Sequence, residues 1–307
     1  MPQKIFITGA SGCIGQYVLD RFVNRPEFEL YLLARFPEKI RKAANIHIVQ
    51  GELAFIEKHA DVIADMDYMI HIATDWSDGD YARYLNVEKT HVMFGFTDPK
   101  KCKKIVYFST ASILGKNNAP IVEAEKYGTG YVKSKYQAYM ALHDERVVTL
   151  FPTLVFGGDA THPYSHISSG IKPNVNYLKW LRFFTTKFSF HFMHAKDIAA
   201  ITEYALLHNT KKDLVLGHAQ VSGGQVLRQL CKTFKIPVYF RIPIAPWFVL
   251  LLAKIFRIKI GPWDYFCITQ GHMTYDTVAP ETFGMTSSFP NLKVLLEDLQ
   301  LNSPISR

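Results

Sequence analysis

Apolar residues gather along this chain in short, mainly apolar runs, within 5–7, 29–35, 46–50, 68–73, 104–109 and 147–150, the last stopping at Pro152. Runs that are apolar without alternation predict strands covered on both faces. Between them lie stretches of helical periodicity, among them 14–23, 86–96 and the segment that holds Tyr131 and Lys135. Strands and helices in regular alternation predict an α/β fold built on a doubly wound parallel sheet. The rhythm changes at Gly157-Gly158, which divides the chain into a first domain, 1–156, and a smaller C-terminal lobe, 157–307. Segments around 194–220 are expected to return to the first domain, through a helix at 198–207 and a short strand at 214–216. A further helix is expected at 224–234.

Two stretches of the lobe stand out. Residues 177–192 hold Tyr177, Trp180, Phe183, Phe184, Phe188, Phe190 and Phe192, and 242–260 is the most apolar part of the chain. The second stretch has no charge before Lys254, then carries Lys254, Arg257 and Lys259. A bilayer crossing needs ~20 apolar residues, more than this stretch offers before its first charge. It reads as a buried or lid helix over a substrate, with a helix lying in a membrane surface as the alternative.

Composition narrows the class. With 307 residues, 48% of them apolar and 20% charged, the chain folds and can bury a large core. Cysteines 13, 102, 231 and 267 have neither Cys-x-x-Cys nor Cys/His spacing, so no metal site and no disulfide framework is expected. The first apolar run ends after three residues in a glycine turn, which does not read as a signal peptide. A cytoplasmic protein is expected, or one held peripherally at a membrane through 242–260. The net charge of +8 suits a phosphorylated cofactor, an anionic lipid or a nucleic acid. No nucleic-acid motif accompanies it, and the lysines at 100–104 read as a solvated helix end, so nucleic acid is set aside.

Candidate chemistry begins at the first strand, KIFITGASGCIG from Lys4 to Gly15. Glycines at 9, 12 and 15 follow a strand and open a helix, so Gly9 can turn sharply and Gly12 can let a pyrophosphate approach. Ser11, Cys13, Ile14 and Gly15 complete that turn and helix start, a cradle of backbone N–H groups for a dinucleotide. At the end of the second strand a ribose 2′-hydroxyl would call for an acidic side chain. Ala34 and Arg35 stand there instead, and an arginine fork suits a 2′-phosphate. NADP is therefore the favoured cofactor and NAD the alternative. Tyr131 and Lys135, four residues apart on one helix face, suit a general acid/base with an ammonium beside it. Ser109-Thr110-Ala111-Ser112 can supply a hydroxyl to a developing oxyanion.

With these pieces in order the chain resembles the extended or atypical short-chain dehydrogenase/reductase superfamily over nearly its whole length. The matching segments are TGASGCIG (8–15), GEL (51–53), HIAT (71–74), NVEKT (86–90), YFSTASILG (107–115), YVKSK (131–135), FPTLVFGG (151–158) and HAKDIA (194–199). The resemblance implies a Rossmann domain at 1–156, mainly substrate binding at 157–307, and Tyr131, Lys135 and Thr110 as catalytic residues. It also implies adenine contacts at Glu52 and Leu53, nicotinamide-ribose contacts at Ala73 and Thr74, and a nicotinamide-side wall at Pro152 and Val155. His194 and Asp197 read as structural, and Asn86 as ordering a helix or a water, or as part of a proton relay. Where sugar-nucleotide members carry charge, this chain has Phe151 and Ser189-Phe190-His191-Phe192. Those changes favour a lipophilic substrate. The expected activity is NADP-dependent hydride transfer to or from a secondary alcohol or ketone. A nucleotide-sugar epimerase or dehydratase and a non-catalytic nucleotide-binding scaffold are the alternatives. The resemblance is compatible with a homodimer, which no residue pattern specifies.

Overall fold

Ile5 and Ile7 face one side of a sheet and Phe6 the other, all three fully buried. That two-sided burial is why the strands read as continuous apolar runs. The computed structural model describes residues 1–186, 188–255, 259–271 and 273–302. Seven strands form the central sheet: β1 (Gln3–Thr8), β2 (Phe28–Ala34), β3 (Ile46–Gln50), β4 (Tyr68–His71), β5 (Lys104–Phe108), β6 (Val147–Pro152) and β7 (Asp213–Leu216). Their order is β7-β6-β5-β4-β1-β2-β3, and every pairing is parallel. This is a Rossmann-like sheet whose strand order reverses between β1 and β4.

Helices cover both faces. Val18, Leu19 and Phe22 of α1 (Cys13–Phe22) and Ile198, Ile201 and Ala205 of α4 (Ala195–Leu207) pack on the face of Ile5, Leu30, Val106 and Leu150. On the opposite face, α2 and α3 (Gly130–Met140) cover Phe6, Met69, Ile105 and Tyr107. The segments Asp80–Arg83, Tyr84–Lys89 and Thr90–Gly95 run on as α2, whose middle turn is π-helical. Helix α2 thus starts six residues before the position that apolar periodicity indicates, because its polar first turn carries no apolar stripe.

The sixth strand runs on through Pro152, past its predicted stop. By that point β5 has ended, and Pro152 pairs only with Leu216 of β7, so its missing N–H costs no ladder bond.

In the lobe, Leu154–Phe156 pairs with Phe192–His194, α5 (Gly223–Thr233) packs Val226 and Leu230 on the same cluster, and α8 (Leu292–Asn302) buries Leu292, Leu295, Leu296 and Leu299 against Phe156 and Phe192. The apolar stretch 242–260 is not one helix. Ile242–Pro243 pairs with Phe184–Thr185, and Pro246 then opens a ten-residue helix, α6 (Pro246–Ile255). Proline at a first helical position sets that start. Residues 256–258, Arg257 included, lie outside the described residues. α7 (Pro262–Gln270) follows, and among the described residues no helix is long and apolar enough to cross a membrane.

Candidate active site

Because the strands are parallel, their C-terminal ends open on one edge of the sheet. The residues singled out in the sequence succeed one another along it. Gly9, Ser11, Gly12, Cys13, Ile14 and Gly15 follow β1, and Arg35 follows β2. Glu52 and Leu53 come after β3, Ala73 and Thr74 after β4, and Thr110 after β5. Pro152 closes β6, with Val155 just beyond. The reversal between β1 and β4 puts a crevice at this edge.

At the first turn Gly9 has φ +76°, and a Cβ there would lie 2.6 Å from the Ala73 nitrogen. Only glycine permits both that conformation and that approach. The Ala73 N–H donates to Thr8 Oγ1 at 3.2 Å, and the same hydroxyl is 2.7 Å from His71 Nδ1. His71 is fully buried, with its other nitrogen 3.0 Å from Thr90 Oγ1. Burial holds its pKa well below the ordinary imidazole value, so it is a neutral tie between sheet and α2. α1 opens at Gly12 with no side-chain cap, and Ser11 and Gly12 beside it are exposed. Free first-turn N–H groups, a helix dipole and a close-approach backbone fit a dinucleotide pyrophosphate. Arg35 is exposed next to Ala34, its guanidinium 5.9 Å from the Phe36 ring. Arg41 is instead engaged on α1, with Asp20 and the Gln16 carbonyl.

Thr129 caps α3, its hydroxyl accepting from Val132 N–H at 3.3 Å, and one turn later α3 brings Tyr131 and Lys135 onto one face. Burial pushes the Tyr131 phenol up to about 12, against a hydrogen bond with Thr110 that pulls it down. The phenol is therefore protonated at neutral pH, with a hydroxyl next to it. Lys135 is 2% exposed, and its Nζ donates to the Phe108 carbonyl at 2.7 Å and sits 4.9 Å from the Tyr107 ring. Burial brings its pKa down to about 7. Thr110, Tyr131 and Lys135 thus combine two hydroxyl donors with an amine that can exchange a proton near neutrality.

Trp76, which no sequence pattern marks, stacks on Tyr131 with ring centroids 3.9 Å apart and 18° between planes. The loop that presents it is pinned at both ends. Asn86, in the π-helical turn of α2, donates to Asp75 O and Ser134 Oγ at 2.9 Å. Its Oδ1 accepts from Asp75 N–H at 2.8 Å and Thr74 Oγ1 at 3.2 Å. Those four bonds exhaust its amide, so it positions this loop and has nothing left for a proton relay. Asp78 Oδ1 accepts from Gly130 N–H at 2.9 Å at the start of α3. A tryptophan in the loop after the switch-point strand was the one available signal, and a weak one.

Phe151, His191 and Phe192 do not line this crevice. Phe151 and Phe192 are buried in core clusters, where each packs edge-on against another ring, and His191 bridges the His218 carbonyl (2.7 Å) and Tyr275 N–H (3.1 Å). Charge at these positions gave way to core packing. His194 caps α4 by accepting from Lys196 N–H at 3.1 Å and stacks on Phe289 at 3.9 Å. Asp197 accepts from Ser288 and Phe289 N–H at 2.7 and 3.1 Å. Burial works to raise that carboxyl, but these bonds and His218 hold it below the ordinary carboxylate value. Two mostly apolar cavities lie further into the lobe. One, of about 790 Å³, is lined by Tyr127, Leu250, Lys254, Tyr265 and Phe266. The other, of about 680 Å³, is lined by Leu181, Phe184, Ile244, Val249 and Ile268.

Comparison with solved structures finds the same fold along almost the entire chain. WbmG from Bordetella bronchiseptica, solved with NAD, is 16% identical, with TM-score 0.68 over 98% of this chain and 94% of that one. dTDP-glucose 4,6-dehydratase from Bacillus anthracis, also with NAD, is 14% identical, with TM-score 0.67 over 97% and 96%. UDP-glucose 4-epimerase from Thermotoga maritima is 14% identical, with TM-score 0.67 over 97% and 99%. No curated protein matches the sequence. A family model does, the NAD dependent epimerase/dehydratase family, over residues 5–217. With the uncapped glycine turn at the switch point and this match across most of its length, the chain belongs to the NAD dependent epimerase/dehydratase family, the extended type of short-chain dehydrogenase/reductase, and is an NAD(P)-dependent enzyme.

Proposed function

We propose that the protein is an NADP-dependent oxidoreductase that passes hydride between nicotinamide and a secondary alcohol or ketone of a lipophilic substrate. The observation that carries this reading is Tyr131, kept protonated by burial, hydrogen-bonded to Thr110 and one helical turn from Lys135. The bound nicotinamide supplies or accepts the hydride. In the reducing direction Tyr131 would give its proton to the substrate oxygen. Thr110 donates a hydrogen bond to the same oxygen as charge develops on it. Lys135 holds ribose and returns a proton toward Tyr131, which a pKa near 7 permits in either direction. Gly9 to Gly15 would hold the pyrophosphate, Glu52 and Leu53 the adenine, Ala73 and Thr74 the nicotinamide ribose, and Pro152 and Val155 would wall the nicotinamide. Exposed Arg35 takes the 2′-phosphate of NADP.

The lipophilic substrate is supported by the tryptophan laid over Tyr131. Such a substrate partitions into bilayers, so the enzyme works at a membrane surface, in peripheral contact through 242–260. A second reading, a nucleotide-sugar epimerase or dehydratase, is favoured by the relatives: WbmG was also solved with NAD and UDP, and the Thermotoga maritima epimerase with UDP-glucose. The same residues would then return the hydride with no net use of cofactor.

Nicotinamide absorbance separates the two, followed with NADPH and NADH in turn against hydrophobic ketones and UDP- or dTDP-sugars. Loss of NADPH with a ketone, abolished in Tyr131→Phe, is expected. A changed sugar nucleotide with no cofactor consumed overturns the proposal, as does full turnover by folded Tyr131→Phe.

A further inference from the structure

We infer that the face made by residues 177–182 and 239–251 is a docking surface for an anionic lipid bilayer. This rests on the membrane-surface reading of 242–260 but on no part of the catalytic reading. Its aromatic side chains are far more exposed than a protein interior or a substrate lid requires: Trp180 is 74% exposed, Tyr239 79%, Phe240 57% and Trp247 66%.

These residues form one continuous surface. Phe240 stacks on Phe183 at 5.1 Å, Arg182 donates to the Pro237 carbonyl at 2.9 Å, and Ile242–Pro243 pairs with Phe184–Thr185. Leu181 and Val249 then line a common cavity, which sets α6 beside the first segment. α6 is apolar nearly all round. Its Val249 and Leu250 turn to the two cavities, while Trp247 and Leu251 face outward, and Lys254 is the one charge it carries. A helix of ten residues that is apolar on its outer side, and too short to cross a bilayer, is suited to lie in the headgroup boundary.

Charge identifies the occupant. Residues 157–307 carry 16 lysines and arginines against nine aspartates and glutamates. Residues 1–156 hold 19 basic and 18 acidic residues, so of the net charge of +8 the lobe carries +7. Tryptophan and tyrosine prefer the level of the headgroups, and lysine and arginine stems can cross apolar surface to reach phosphate. The combination matches an anionic bilayer better than a protein groove, because the net positive charge of the lobe complements headgroup phosphate.

The test is co-sedimentation of the full chain with vesicles of phosphatidylcholine alone or mixed with phosphatidylglycerol, at low and high salt. Light scattering on the free protein reports its oligomeric state. The wild-type chain is expected to bind the mixed vesicles at least ~10-fold better than phosphatidylcholine, with the preference shrinking in salt. The double variant Trp180→Ala/Trp247→Ala should lose ~10-fold or more in binding to mixed vesicles. Both side chains are exposed, so its thermal unfolding and its NADPH binding should match wild type. A charge-reversed variant, Lys179→Glu/Lys254→Glu, should lose the preference for phosphatidylglycerol. Equal binding to both vesicle types, undiminished binding by the tryptophan variant, or no binding at all overturns the inference. A dimer that the tryptophan variant dissociates also overturns it, by assigning the face to a second copy of the chain. Absence of ketone reduction by the wild-type chain with lipid binding intact would sink the catalytic reading alone.

Discussion

Gly15→Ala tests whether the contact between α1 and the turn before it sets the cofactor site. A Cβ at Gly15 would lie 2.7 Å from Ala10 Cα and 2.9 Å from its carbonyl carbon, and closer still to the Gly9 carbonyl oxygen. Carbon atoms settle at about 3.5–4.0 Å, so the helix start must back away from the turn by about 1 Å. The Gly9 carbonyl also accepts Gly12 N–H at 3.1 Å, so the movement reaches the anion-binding N–H groups directly. Alanine gains about 1 kcal/mol over glycine in a helix, while overpacking costs about 1–3 kcal/mol or more. A net stability loss of up to about 2 kcal/mol is expected. An error of ~1 Å in a preorganised site costs on the order of 100-fold, so NADPH affinity should fall by about that factor. The control is Gly12→Ala, whose Cβ meets only the Gly9 carbonyl oxygen at 3.4 Å, an ordinary contact. It should unfold as wild type does, yet lose NADPH because its methyl projects where the phosphates approach. Fluorescence titration with NADPH and thermal unfolding on the three proteins give both numbers. Wild-type affinity and melting in Gly15→Ala would refute the claim that this packing positions the site.

Three further outcomes are expected. Arg35→Ala should weaken NADPH by about 10- to 100-fold, the worth of charge-assisted hydrogen bonds, and leave NADH unchanged; equal losses for both would remove Arg35 from the 2′-phosphate. Trp76→Ala deletes a ring stack worth about 0.5–1.5 kcal/mol from a residue 58% exposed. It should barely alter unfolding but lower kcat/KM, with Trp76→Phe recovering much of the loss, and an unaltered kcat/KM in the alanine variant would make the stack incidental. The Lys135 pKa, brought from 10.5 to about 7 in the fold, means the unfolded chain binds the extra proton between those values, so stability rises with pH across that window. Lys135→Met lacks this term. Its stability relative to wild type, from urea unfolding, should therefore fall by on the order of 1–3 kcal/mol between pH 6 and pH 10; a pH-independent difference would mean the lysine is not desolvated.

The sheet was legible because burial on both faces leaves no polar positions in Ile5-Phe6-Ile7 or in Ile105 to Phe108. Chain order then placed Gly9, Arg35, Ala73 and Thr110 along one edge, since parallel strands put every strand-following residue on the same side. What could not be read depends on contacts between distant segments. Phe151 and Phe192 looked like substrate surface because they replace charge, yet a local sequence does not say whether an aromatic ring meets ligand or core. Trp76 faces Tyr131 only because Asn86 and Asp78 tie its loop at residues 75 and 130, bonds that reach across 11 and 52 positions. Helix α6 is shorter than its apolar run because Ile242 and Pro243 pair with Phe184 and Thr185, a partner 58 positions away.

Asp197 bears on the order in which this chain can mature. Its carboxylate, 1% exposed, belongs to the part of the sequence that the family model spans, but its two amide donors are Ser288 and Phe289, more than 90 positions later. During synthesis the sheet and α4 emerge well before those donors. Until then the carboxylate has only His218, 3.6 Å away, for company, and a charge left short of partners in a dry site opposes closure of the core. A polypeptide ending after Gly217 would carry every strand of the sheet and still lack the last stitch, so the Rossmann half is expected to lock only when the C-terminal segment arrives.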